Sequence, residues 1–162
     1  MIRFAVIGTG WRSRFFLRVA HARPDLFEVT GVLTRDITKA RVWALPYTVP
    51  LVSSMDDLLA PKPLFVVTSV PWSVNPVMLQ ELAEKGFPVL SETPPAASIT
   101  EMETLWQLVH QGAEIAVAEQ YHLQPHHAAR ITLVQSGKLG TISQARSCGS
   151  AFVCFAKLLR TK

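Results

Sequence analysis

The chain has 162 residues, 49% of them hydrophobic and only 17% charged, which is room for one domain whose elements are buried on both sides. Its net charge of +4 comes from 16 scattered Lys and Arg with no block of five, which argues against a nucleic-acid partner. No signal peptide and no membrane-length apolar run can be read, and Cys148 and Cys154 fit neither a disulfide framework nor a zinc site, so a soluble cytoplasmic protein is expected.

Five of the six residues from Ile2 to Ile7 are apolar, and Phe4 to Ile7 run without a break. That suits a parallel strand buried on both faces. Gly8-Thr9-Gly10 follows, and Trp11 to Arg23 then has helical periodicity through Phe15, Phe16, Val19 and Ala20. A strand that turns on glycines into a helix exposes unpaired N–H groups at the positive end of a helix dipole, a setting for a phosphate. Gly8 would make the tight turn and Gly10 would admit a pyrophosphate, with Ser13 where the dinucleotide fingerprint has its third small residue. A plain strand–helix turn is the competing reading of the same residues.

Further along, Leu26–Leu33 reads as a second strand, and Asp36 or Thr38 would cap a helix to about Leu45. Thr48–Val52 reads as a third strand, with Ser54 capping a short helix over Met55–Leu59. Leu64–Thr68 is a fourth strand, Ser73–Lys85 a helix stopped by Gly86, and Val89–Leu90 a fifth strand. Thr100 with Glu103 suggests a capping box for a helix through His110; Ile115–Ala118 is a sixth strand and Pro125–Gln135 a last helix. Short buried strands alternating with helices define an α/β protein with a doubly wound parallel sheet, the Rossmann arrangement. Ligands of such sheets sit at the carboxyl ends of the strands. Here those ends are Gly8–Arg12, Thr34–Asp36, Thr68–Trp72, Ser91–Pro95 and Glu119–His122.

A carboxylate about 20 residues after the glycine turn would bind a ribose 2′-hydroxyl and select NAD. The second strand ends instead in Thr34-Arg35, and a hydroxyl beside a guanidinium suits a 2′-phosphate. NADP is therefore favoured, with NAD possible. Asp36 is left either to reach the hydroxyl or to cap the next helix.

With Gly8-Thr9-Gly10, Val70-Pro71, Glu92-Thr93-Pro94, Glu119-Gln120-Tyr121-His122 and Gly137-Lys-Leu-Gly140, residues 2 to about 148 resemble the Gfo/Idh/MocA oxidoreductases. The resemblance implies an N-terminal dinucleotide domain, a C-terminal substrate domain on an antiparallel sheet, and hydride transfer between nicotinamide and a sugar or polyol. It implies residues 1–120 as the dinucleotide domain, 121–140 as a connecting helix, and 141–162 as a vestigial start of the substrate domain plus an apolar tail. Cofactor contacts would come from Gly8, Thr9, Gly10, Trp11 and Arg12 at the pyrophosphate and Thr34 and Arg35 at the adenosine ribose. Thr68, Ser69, Pro71, Glu92, Thr93 and Gln120 would complete the set.

Three departures qualify it. Thr93 stands where the family has a Lys near the nicotinamide, so the catalytic residues are unknown: a Thr hydroxyl hydrogen-bonds but carries no charge. After the fourth strand the family often has Pro-Asn-x-x-His, and here Pro71-Trp72-Ser73-Val74-Asn75 lacks the His. The substrate domain is expected to be largely missing, with Ile142–Ser147 as its first strand. The apolar tail Ala151–Leu159 would fold back, pair with a second copy as a homo-oligomer, or be a frameshifted end. A non-catalytic cofactor-binding or assembly module, or an inactive truncated product, is the alternative to an enzyme.

His122, His126 and His127 cluster near a helix start without the glutamate of a zinc-protease motif, so no metal is expected. Trp11 and Trp72 follow strand ends and would line the cleft or pack in the core; Trp43 and Trp106 read as packing residues. Ser13, Ser69 and Ser91 have no recognisable His–Asp partners for nucleophilic catalysis.

Overall fold

The computed structural model describes residues 1–44, 46–120 and 123–144. The chain forms two compact units, Met1–Glu119 and Gln120–Lys162. The first holds β1 (Ile2–Ile7), β2 (Phe27–Leu33), β3 (Leu51–Val52), β4 (Phe65–Thr68), β5 (Val89–Ser91) and β6 (Ile115–Val117). These pair in parallel in the order β3-β2-β1-β4-β5-β6. Helices α1 (Trp11–Ala22), α2 (Ile37–Ala44), α3 (Met55–Leu59), α4 (Asn75–Glu84) and α5 (Ile99–His110) connect them. The expected doubly wound α/β sheet is therefore present.

The apolar run of β1 serves two cores at once. Phe4 and Val6 meet Leu17 and Ala20 of α1, with Val32 and Val67 beside them. Ala5 and Ile7 face the other way, toward Leu58, Leu79, Leu82 and Leu105 of α3, α4 and α5. Every other residue of a strand points to the opposite face, so a central strand between two helical layers has no polar side. Burying such side chains contributes about 1.5–3 kcal/mol each, an upper estimate. The chain starts in the middle of the sheet, winds outward to β3 and returns to β4, so strand order reverses between β1 and β4.

One irregularity sits next to β1. Phe4 pairs with Val29 but Ala5 with Gly31, leaving Thr30 bulged, its hydroxyl donating to the Phe4 carbonyl at 3.3 Å. Phe27, Val29 and Val32 consequently pack in one core and Leu33 in the other.

Several elements differ from the sequence reading. β3 is two residues long rather than five, because Thr48 adopts a left-handed φ of 48° and Pro50 has no N–H to pair. Helix α5 starts at Ile99, and its capping box is Ser98 with Glu101, not Thr100 with Glu103. Ser98 Oγ accepts from Glu101 N at 3.2 Å, and Glu101 Oε2 accepts from Ser98 N and Ala97 N at 2.9 Å each. Those N–H groups hold the Glu101 carboxyl below its ordinary range. Trp106 is 64% exposed, edge-on to His110 at 4.9 Å, and is no packing residue; Trp43 does pack in the α1-side core.

In the second unit α6 spans Pro125–Gln135, with Pro125 in its first turn, and Gly137 and Gly140 follow at positive φ. Residues 141–144 form no strand; the rest of the expected strand Ile142–Ser147, Tyr121, His122, both cysteines and the apolar tail lie outside the described residues.

Candidate functional site

The carboxyl ends of β2, β1, β4 and β5 are stitched into one row. Gly8 N donates to Leu33 O (3.1 Å), Ser69 N to Ile7 O (2.9 Å), and Glu92 N to Thr68 O (3.0 Å). At the centre of the row is the glycine turn. Gly8 has φ +108°, and a Cβ there would collide with the Ser69 carbonyl oxygen, so only glycine lets the turn after β1 lie against the end of β4. Gly10 is the N-cap of α1, and no side chain caps the helix there. No acidic residue stands in its first turn, and a Cβ at Gly10 would meet nothing within 4 Å. The amino end of α1 is thus an uncapped positive terminus with open space before it, and these donors fit a phosphate group. Ser13 is fully buried under the helix, the small residue that lets α1 pack closely on the sheet.

At the end of β2, Thr34 is buried and its Oγ1 accepts from Asp36 N at 3.2 Å, bracing the turn. Asp36 is the helix cap: its Oδ1 accepts from Lys39 N at 3.0 Å and its Oδ2 lies 3.2 Å from Lys39 Nζ. These contacts, the Lys39 backbone N–H first, hold its carboxyl below the ordinary range. Arg35 is exposed and makes no ion pair among the described residues.

The β4 and β5 ends are built from side chains. Thr68 and Ser91 are register partners on neighbouring strands, both fully buried. Asn75, the first residue of α4, donates from Nδ2 to Ser91 Oγ (2.9 Å) and to Pro95 O (3.1 Å), and Ser91 Oγ donates to Glu92 O (3.0 Å). Arg12 Nε lies 3.0 Å from Glu92 Oε1, with the two side chains 23% and 13% exposed. This ion pair ties the first turn of α1 to the end of β5. The Arg12 guanidinium also lies over the rings of Trp11 (5.1 Å) and Phe15 (5.5 Å). Thr93, Pro71 and Trp72 are exposed and Ser69 is half-buried. Thr68 Oγ1 and Asn75 Oδ1 are buried without a hydrogen-bond partner among the described residues.

Of the candidate residues, Gly8, Thr9, Gly10, Trp11, Arg12, Thr34, Arg35, Thr68, Ser69, Pro71, Glu92 and Thr93 all fall at these adjoining strand ends. Gln120 opens the second unit, where its carbonyl accepts from Leu123 N at 3.1 Å. Sequence reasoning noted Asn75 only as a lost histidine and missed that it bridges α4 and the β5 loop. No group of His, Cys, Asp and Glu among the described residues can hold a metal ion, and no helix there is long and apolar enough to cross a membrane.

A parallel sheet in this order, with a glycine turn into an uncapped helix at the point of reversal, defines a dinucleotide-binding Rossmann unit. Residues 2–121 match the Gfo/Idh/MocA oxidoreductase family with its NAD-binding Rossmann fold, and the chain belongs to that family. The uncharacterised oxidoreductase YgjR of Escherichia coli K12 is 27% identical over 144 residues, 86% of this chain and 43% of YgjR. Similar folds include the apo scyllo-inositol dehydrogenase of Lactobacillus casei (TM-score 0.78, 16% identity, 88% of this chain and 44% of that one). Another is the WlbA dehydrogenase of Bordetella pertussis, solved with NADH and UDP-GlcNAcA (TM-score 0.77, 22% identity, 87% and 44%). The chain therefore spans less than half the length of each of these proteins.

Proposed function

We propose that this chain binds a nicotinamide dinucleotide along the row of strand ends, as the cofactor unit of an oxidoreductase acting on a sugar-like polyol. The uncapped amino end of α1 behind Gly8 and Gly10 carries the reading. Gly8, Thr9, Gly10, Trp11 and Arg12 hold the pyrophosphate through backbone N–H groups and the guanidinium. Thr34 and Arg35 take the adenosine ribose; because Asp36 is engaged as a helix cap and Arg35 is exposed, NADP is preferred to NAD. Thr68, Ser69, Pro71, Glu92 and Thr93 serve the nicotinamide side. When bound, the nicotinamide supplies the hydride chemistry. Residues 1–120 act as the dinucleotide domain and 121–140 as a connecting helix, in a soluble cytoplasmic protein that self-associates through its apolar tail.

Titration with NADPH and NADH, followed by nicotinamide fluorescence, tests this directly. NADPH is expected to bind more tightly, and Arg35→Ala to weaken NADPH about tenfold, the equivalent of one charge-assisted contact, while leaving NADH nearly unchanged. Absence of binding by either nucleotide overturns the reading. Thr93 favours a second reading, binding without turnover, because its hydroxyl holds no alkoxide by charge. Turnover of any member of a sugar and polyol panel by the purified chain would sink that second reading.

A further inference from the structure

Asn75 is the first residue of α4 and only 2% exposed, so it is placed to touch neither solvent nor a ligand in the crevice. Its side chain reaches 16 and 20 residues ahead, to Ser91 Oγ on one side of the Glu92-Thr93-Pro94 loop and to the Pro95 carbonyl on the other. Ser91 Oγ passes the chain of hydrogen bonds on to the Glu92 carbonyl. The loop is thereby held at both ends by one NH2 group. Only a primary amide does this from so short a stem: its two N–H bonds diverge from one nitrogen, whereas a carboxylate donates none and an imidazole donates one per nitrogen.

We infer that Asn75 is a positioning residue for the nicotinamide side of the cofactor site. It fixes the loop from which Thr93 is presented, between its bonds to Ser91 and Pro95. The inference rests on the dinucleotide reading above, and it makes a narrower claim: Asn75 acts on one half of the ligand. The adenosine and pyrophosphate contacts come from β1, α1 and β2, to which Asn75 makes no hydrogen bond.

The test uses the full chain and calorimetric titration with two ligand pairs, NADPH against 2′-phospho-ADP-ribose and NADH against ADP-ribose, each pair differing by the nicotinamide. Asn75→Asp keeps the shape and removes both donors. It is expected to weaken the dinucleotides about tenfold, while the ligands without nicotinamide stay within about twofold of wild type. Asn75→His, which retains a donor and restores the family's residue, is expected to recover part of that loss. Ser91→Ala removes one link with little change of volume and gives the same pattern at about threefold; it decides the matter if Asn75→Asp does not fold. Equal weakening within each pair, or none, overturns the proposal and leaves the dinucleotide reading standing. Wild-type protein that binds none of the four ligands overturns both.

Discussion

The two halves of the crevice are built from different materials. Around β1, α1 and β2 the candidate groups are mostly backbone: a glycine turn, the free N–H groups of a helix, and a strand end braced by its own hydroxyl. Around β4 and β5 they are side chains drawn from distant parts of the sequence and cross-linked, Asn75 to Ser91 and Pro95, Arg12 to Glu92. A backbone site depends on conformation and tolerates most side chains, provided glycine stands where a Cβ is impossible. A side-chain site depends on each partner being present, and loses more than one contact when any is removed.

The largest effect should come from Gly8→Ala, which strikes the backbone half. The positive φ and the collision with the Ser69 carbonyl together cost about 3 kcal/mol, read as a lower urea midpoint at unchanged slope. Next is Arg12→Ala, which leaves the mostly buried Glu92 carboxylate without its counter-charge. Discounting for partial exposure, we expect about 1–2 kcal/mol, with Glu92→Gln milder and a double-mutant coupling of about 1 kcal/mol. If the cycle shows no coupling, the two halves are not tied by this pair.

Gly10→Ala separates folding from binding. Its backbone is extended and its surroundings are open, so unfolding should shift by less than about 0.5 kcal/mol. The added methyl nevertheless occupies the approach of the pyrophosphate, and nucleotide affinity should fall about tenfold.

The smallest effect concerns Glu101, at the start of the helix that follows the side-chain half. Its carboxyl is held low by the Ala97 and Ser98 N–H groups, so its contribution is complete above the ordinary carboxylate range. That contribution disappears as pH falls through the lowered folded value. Thermal melts of wild type and Glu101→Gln across pH should therefore differ at neutrality and converge in acid.

What could be read from the sequence follows the same division. The glycine turn and the buried strands were legible because their backbone conformations and two-sided burial admit few residue types. The Asn75 network was not, since it depends on where the start of α4 meets the end of β5, and no local pattern encodes that meeting. The α5 cap failed for a local reason: Ser98-x-x-Glu101 and Thr100-x-x-Glu103 both satisfy the same spacing. The outcome turned on Ala97, whose N–H adds a second bond to Glu101 in the earlier frame. Thr34 and Arg35 were expected just past the second strand and lie there, but that Thr34 is buried against the turn and Arg35 exposed was not legible, and neither was the register of the strand before them.

That last point follows from the bulge at Thr30. One extra residue in β2 acts as a phase shifter: it lets Val32 share a core with Phe27 and Val29, although Val29 and Val32 are an odd number of residues apart, and sends Leu33 to the other core. Deletion of Thr30 would give an unbroken ladder with the same downstream pairs, Val32 with Val6 and Leu33 with Ile7, at the loss of the Thr30 hydroxyl bond to the Phe4 carbonyl.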